Sequence, residues 1–245
     1  MSQLQRIAIA LSQLQQEQIF LTPQQQHYLE RVLRLRKGDR FIAMDGQGKW
    51  WLAEFAGEKA QILESLTVQT ELPVSITLMV ALPKGNGFDD VVRICTELGV
   101  AFIAPVMSDR TLLNPSPQKL ERWLRIAQEA AEQSERSFVP TILEPVSFST
   151  SLATGTATHR YICEARGSYP HLREAINQVS TQVSTTSEII IATGPEGGWT
   201  QKEVEYAIDA GFQPVSLGRR ILRAVTAPIV ALSIVAAELE SVTFN

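Results

Sequence analysis

Along the last two thirds of the chain, short continuous apolar runs alternate with stretches whose apolar positions fall three and four residues apart. The runs "ITLMVAL" at 76–82, "AFIAPVMS" at 101–108, "RYICEA" at 160–165, "EIIIAT" at 188–193 and "PVSL" at 214–217 predict buried strands. Helices are predicted between and after them, over 87–98 with Gly99 as its stop, from about 117, near 170–179, over 201–210 and over 226–240. Such alternation is what a mostly parallel α/β sheet requires. In the helix from about 117, Ser116 is the expected N-cap and Pro117 lies in the first turn. Leu120, Trp123, Leu124 and Ala127 share one face, with Arg122, Arg125 and Glu129 on the other side. The last helix, with Ile229, Val230, Leu232, Ile234, Val235 and Leu239, is apolar around most of its circumference. Burial in the domain core and burial against a second subunit fit that pattern equally.

Before residue 73 the texture differs. "FIAMDGQGKWWLAEFAG" alternates on both sides of Asp45-Gly46, a hairpin signal, and predicts a small β-rich domain. Leu72-Pro73 interrupts the chain, so the expected domains are 1–72 and 73–245. The Ser/Thr-rich pieces 147–158 and 180–187 predict loops.

A chain of 245 residues, 44% hydrophobic and 20% charged, falls in the ordinary globular range. No window approaches the roughly eighteen apolar residues of a membrane span, and the N-terminus lacks the layout of a signal peptide, so a cytoplasmic protein without a membrane segment is expected. Cys95 and Cys163 lie far apart in apolar runs, as buried thiols do. His27, His159 and His171 form no ligand cluster with them, and no metal site is expected. The net charge of -4 argues against coating nucleic acid by bulk electrostatics. Locally, however, "RVLRLRKGDR" sets Arg31, Arg34, Arg36, Lys37 and Arg40 against Asp39 alone. A solvated helix face and a phosphate-contacting patch both fit it.

The candidate chemistry lies in "GPEGGWTQKE" at 194–203. The strand ends at Thr193, Gly194 to Gly198 turn the chain, and Thr200 with Glu203 forms a capping box that starts the next helix. Free amides and a helix N-terminus thus meet at the carboxyl end of a strand, where open α/β sheets place ligands. The spacing is neither that of a Walker loop nor that of a dinucleotide turn, and Glu196 would repel a phosphate. A tight turn without a ligand fits the stretch as well. "LGRRILRAVTAP" repeats the scheme, with a strand ending at Gly218, a basic apolar loop, Thr226 as cap and Pro228 in the first helical turn.

Together, "GPEGGWTQKEVEYAIDAGFQPVSLGRRILRAVTA" resembles the cofactor-binding end of SPOUT-type RNA methyltransferases, specifically the RsmE family, which methylates N3 of a uridine in 16S ribosomal RNA. "HYLERVLRLRKGD" is similar to the opening motif of that family's PUA-like β-barrel, and "LPKGNGFDDVVRICTELGV", "PVMSDRT" and "ERWLRIAQEAAEQSERSFVP" to successive pieces of its catalytic domain. The resemblance implies an α/β domain with a C-terminal trefoil knot that binds S-adenosylmethionine and pairs as a homodimer. By motif, Thr193, Gly194, Pro195, Glu196, Gly197 and Gly198, with Leu217, Gly218, Ile221, Leu222 and Arg223, would hold the cofactor, and Leu82, Pro83 and Thr226 would adjoin it. Arg223, Arg136 and Arg110 are the catalytic candidates, for a phosphate or a developing uracil oxyanion. His27, Arg31, Arg34, Arg36 and Lys37 become RNA contacts, with the 16S RNA or the small ribosomal subunit as partner.

Three departures stand out. Val225 occupies the place of the family's usual glutamate, Ile94 and Cys95 displace a lysine, and Glu135 replaces a small residue before Arg136. The first removes a carboxylate beside the cofactor and raises an alternative, an RNA-binding protein with this fold and without the activity.

Overall fold

A computed structural model describes residues 4–111, 115–153, 157–180 and 187–243. Two compact units emerge, one from the segment up to Glu71 together with Ala131–Val139, the other from Leu72–Ala130 and the segment from Pro140 onward.

The first unit is a six-stranded sheet of Arg6–Ala8 (β1), Leu14–Gln15 (β2), Gln18–Phe20 (β3), Arg40–Met44 (β4), Trp50–Phe55 (β5) and Lys59–Leu66 (β6), in the order β1-β4-β5-β6-β3-β2. β1 runs parallel to β4 and the other pairs are antiparallel. The predicted hairpin is β4–β5, closed by Asp45, whose Oδ1 accepts from the amides of Gln47 (2.8 Å) and Lys49 (2.9 Å). Alternate residues turn inward, so Ile7, Ile19, Phe41, Ala43, Trp51, Ala53 and Phe55 form one core with Leu29. The short helix Pro23–His27 (α1) opens on a capping box between Thr22 and Gln25.

The second unit is built on the parallel strands Ser75–Ala81 (β7), Phe102–Met107 (β8), Thr141–Ile142 (β9), Val146–Ser147 (β10), His159–Cys163 (β11), Glu188–Thr193 (β12) and Gln213–Val215 (β13). Their order is β10-β8-β7-β12-β11-β13, with β9 also beside β8. Helices Gly87–Glu97 (α2), Pro117–Gln133 (α3), Phe148–Leu152 (α4), Leu172–Ser180 (α5), Gln201–Asp209 (α6) and Thr226–Thr243 (α7) connect or follow them, with α3 belonging to the first unit from Ala131 on. A sheet covered on both faces explains the unbroken apolar runs. Met79, Ile162, Ile190 and Ala192 meet Phe148, Leu152, Trp199 and Phe212 in one core layer. On α7, Ala231, Leu232, Val235, Ala236 and Leu239 are buried, whereas Ile229, Val230 and Ile234 are half-buried. This helix packs on α2, α5, β7 and β12.

Several expectations change. Residues 147–152 are not a loop: Ser147 Oγ accepts from the Thr150 amide (3.1 Å) and caps α4, which buries Phe148 and Leu152. Residues 154–156 and 181–186 of the two expected loops lie outside the described residues. Leu124 is 46% exposed while Trp123 and Ala127 are buried, because the buried stripe of α3 is too narrow to take both 123 and 124. The strand expected to run to Leu217 stops at Val215. Thr226 is already inside α7, and the Arg223 carbonyl accepts from the amides of Thr226 (2.9 Å) and Ala227 (3.0 Å), closing the turn that leads into the helix.

Candidate functional site

Register brings four strand ends level. Thr193 pairs with Val80 on one side and with Cys163 on the other, and Cys163 pairs in turn with Val215. The loops leaving β7, β11, β12 and β13 therefore emerge together at the carboxyl edge of the sheet, where parallel α/β sheets form crevices.

In the loop after β12, Gly198 has φ +68° and its amide donates to the Pro195 carbonyl (2.9 Å), a turn that side-chain-bearing residues resist. A Cβ on Gly194 would come within 3.2 Å of Trp199 Nε1, so the backbone and the indole ring lie close together. Trp199 donates from Nε1 to the Cys163 carbonyl (3.2 Å) and stacks on Phe148 with centroids 4.2 Å apart. Glu196 Oε1 accepts from the Lys84 amide (2.9 Å), tying this turn to the loop after β7. Arg110 donates from Nη1 to the carbonyls of Gly197 and Trp199. The predicted capping box is formed: Thr200 Oγ1 accepts from the Glu203 amide (3.2 Å), and Glu203 Oε2 accepts from the Thr200 amide (2.7 Å).

The loops after β11, β12 and β13 line a cavity of about 220 Å³, formed by 163–166, 194–199, 217–218 and 220–222 together with Arg110, Ala224 and Ala227. Leu217, Ile221 and Leu222 provide an apolar wall, glycine backbone provides donors and acceptors, and Arg110, Arg166, Arg220, Glu164 and Glu196 provide charge of both signs. One residue upstream, Thr193 Oγ1 is buried and has no hydrogen-bond partner among the described residues. A small amphipathic molecule with a flat ring and a polar tail fits such a lining. Burial pushes the Cys163 thiol up to about 12, so it stays protonated and is no nucleophile at neutral pH.

Of the residues singled out from sequence, Gly194 to Gly198, Leu217, Gly218, Ile221, Leu222 and Arg110 line the cavity. Leu82 is buried at the end of β7, its amide donating to the Val106 carbonyl (3.0 Å), and Pro83 follows it. Arg223 is exposed in the loop that the cavity's residues share, just before α7. Arg136 does not line the cavity. It belongs to the first unit, is 3% exposed, and its guanidinium is bonded to Glu71, whose carboxylate also accepts from the Ser137 amide (2.8 Å). Glu135, the departure beside it, pairs with Arg6 at 2.8 Å. Arg220, inside the run from Leu217 to Arg223 that the resemblance gives to the cofactor, lines it too, and the loop 163–166, Trp199, Ala224 and Ala227 line the cavity without having been singled out. For 163–166 the signal was present in "RYICEARG", a strand that runs straight into a turn, but it lacks the glycine cluster that marks the other two loops.

In the first unit, the basic run is not one helix face. Only Arg31 falls in the helical turn Tyr28–Val32, and Arg34 reverses the chain at φ +59°. Leu29 is buried and Leu33 and Leu35 pack on the core, which leaves His27, Arg31, Arg34, Arg36 and Lys37 exposed. Among the described residues, none of these five forms an ion pair with a carboxylate.

A family model described as an RNA methyltransferase domain matches residues 70–236, and one described as an RNA methyltransferase PUA domain matches residues 21–64. The chain is 48% identical over 241 residues to the ribosomal RNA small subunit methyltransferase E of Synechocystis sp., covering 96% of this chain and 78% of that one. It is 30% identical over 250 residues to the protein of the same name from Bacillus subtilis, covering 97% and 98%. Among solved structures, the ribosomal RNA small subunit methyltransferase E of Neisseria gonorrhoeae bound to S-adenosyl methionine is similar with a TM-score of 0.79 and 31% identity, covering 94% of this chain and 96% of that one. A putative methyltransferase from Legionella pneumophila in complex with the same cofactor is similar with a TM-score of 0.80 and 26% identity, covering 96% and 98%.

Proposed function

Since the chain belongs to the ribosomal RNA small subunit methyltransferase E family, we propose that it uses S-adenosylmethionine to methylate N3 of a uridine in 16S ribosomal RNA. The observation that carries this reading is the convergence of the glycine turn 194–198 and the loop 217–222 on one cavity at the level ends of β11, β12 and β13. Bound there, the cofactor supplies an activated methyl group on a sulfonium. The backbone of Gly194 to Gly198 and of Gly218 would hydrogen-bond its polar edges, and Leu217, Ile221 and Leu222 would cover its ring. Glu196 and Glu164 suit a cationic ligand where they would reject a phosphate.

Positioning accounts for most of the acceleration, because the methyl group needs no further activation. The acceptor base has to leave its pair to expose N3, so the nucleotide is single-stranded or extruded. Arg110 and Arg223 are exposed at or beside the cavity and offer guanidinium donors to a uracil oxygen as N3 loses its proton. With Val225 apolar, no carboxylate at that position removes the proton, and water receives it. Arg136, engaged with Glu71, supports the first unit instead of touching the base. Arg31, Arg34, Arg36 and Lys37 contact RNA phosphates, and His27 offers its ring for a base to stack on.

Strand order supports the C-terminal knot that the family implies: β13 lies beyond β11, so the chain leaving β12 passes β11 before α7 returns to β7 and β12. The half-buried Ile229, Val230 and Ile234 on α7 support a homodimer. An RNA methyltransferase of this kind acts in the cytoplasm, and among the described residues no helix is long and apolar enough to cross a membrane.

Mass spectrometry of nucleosides from unmodified 16S RNA, naked or in small subunits, incubated with the protein and labelled cofactor tests the reading. One labelled N3-methyluridine is expected. Labelling of a different atom or base overturns the assignment, and no labelling of either substrate overturns the activity.

A further inference from the structure

Glu203 is 5% exposed, yet its carboxylate serves two separate segments of the chain. Oε2 accepts from the amide (2.7 Å) and hydroxyl (3.0 Å) of Thr200, which is the local cap of α6. Oε1 accepts from the Asp109 amide at 2.8 Å, across 94 residues of sequence. A capping box uses the glutamate only for the residue that begins the helix. The second oxygen here holds the loop that leaves β8.

The next residue in that loop is Arg110. Its guanidinium donates to the carbonyls of Gly197 and Trp199, and its Cδ lies 3.0 Å from where a Cβ on Gly197 would stand. One buried carboxylate thus joins the start of α6, immediately after the glycine turn, to the residue before the arginine that lies on that turn. The single Thr200 hydroxyl proton faces both Glu203 Oε2 at 3.0 Å and Asp109 Oδ2 at 3.3 Å, the nearer being the stronger acceptor.

We propose that Glu203 is a positioning residue that sets Arg110 against the cofactor turn, and through it aligns the acceptor base with the methyl group, an inference that rests on the methyl-transfer reading above. Both carboxylate oxygens have to accept. Glutamine has one acceptor oxygen and a donor NH₂, so Glu203→Gln keeps the local cap while facing an N–H toward the Asp109 N–H.

The test compares the full-length wild type with E203Q on 16S RNA. In E203Q, kcat is expected to fall on the order of tenfold, with the KM for the cofactor and the Kd for S-adenosylhomocysteine within about twofold of wild type. Hydrogen exchange at the Asp109 amide is expected to accelerate on the order of a hundredfold, a change that loss of a helix cap alone does not produce. Unchanged kcat with unchanged Asp109 exchange overturns the proposal, and so does an equal loss of cofactor affinity, which marks a collapsed turn. Should E203Q not fold, the wild-type Asp109 amide decides: protection supports the tether and exchange at the rate of an open loop overturns it. A wild type that transfers no methyl group overturns the methyl-transfer reading, while Asp109 exchange still tests the tether itself.

Discussion

Val225 Cγ2 stands 2.6 Å from the point a Cβ on Gly87 would occupy, so the end of the loop 217–225 is seated on a bare glycine at the start of α2. The valine that departs from the family's glutamate is therefore an apolar contact between the cavity's loop and its neighbour. Adding a methyl group at 87 forces the two apart, and overpacking of this kind costs about 1–3 kcal/mol. Gly87→Ala is expected to lower stability by that amount and to weaken S-adenosylhomocysteine binding, with Gly87→Ala/Val225→Ala recovering most of both. Denaturant melts and calorimetry on the four proteins of the cycle check it, and additive losses contradict the contact.

Arg136 separates a structural role from a catalytic one. Removing one member of a buried ion pair leaves the other charge uncompensated, at a cost of about 3–5 kcal/mol. The Glu71 side chain is 24% exposed against 4% for the Arg136 side chain, so the lower end of that range is expected for Arg136→Ala. Cofactor affinity of the folded fraction should match wild type in calorimetry. A folded, fully stable variant that has lost only methyl transfer returns Arg136 to the reacting centre.

The exposed basic loop makes a separate claim about RNA. Replacing Arg34, Arg36 and Lys37 by alanine is expected to weaken RNA binding and to flatten its salt dependence by about 0.7 log–log unit for each single-strand phosphate that is no longer neutralised. Affinity for S-adenosylhomocysteine should not move, because none of these side chains lines the cavity. Fluorescence anisotropy across a salt series measures both the slope and the affinity.

Two buried thiols make stability fall at alkaline pH. Burial raises Cys95 and Cys163 from 9.0 to about 12, so in this range the unfolded chain loses protons that the folded chain keeps. Their contribution is fully present below about pH 9 and declines as the pH rises toward 12. Urea midpoints between pH 8 and pH 11 are expected to drop, and Cys163→Ala should flatten the drop. Iodoacetamide at pH 8 should leave both thiols unmodified until urea is added.

Local chemistry was legible in the residues. The hairpin at Asp45, the apolar runs of β7, β8, β11 and β12, and the Thr200–Glu203 cap each depend on neighbours a few positions away, and periodicity reports such relations directly. The glycine turn after β12 and the loop after β13 were visible for the same reason. Ser147–Leu152 escaped because a serine-rich composition hides a five-residue helix whose buried apolar positions are Phe148 and Leu152 alone.

What the residues determined alone was the kind of elements and where ligand-type turns end the strands, since backbone geometry and the alternation of apolar positions are properties of short windows. Tertiary structure decided which turns share a cavity, because that follows from β11 lying between β12 and β13. It also paired Arg136 with Glu71 and Glu203 with Asp109, contacts spanning 65 and 94 residues. A hydrogen bond across such a span depends on how distant strands assemble, and no local pattern carries that information.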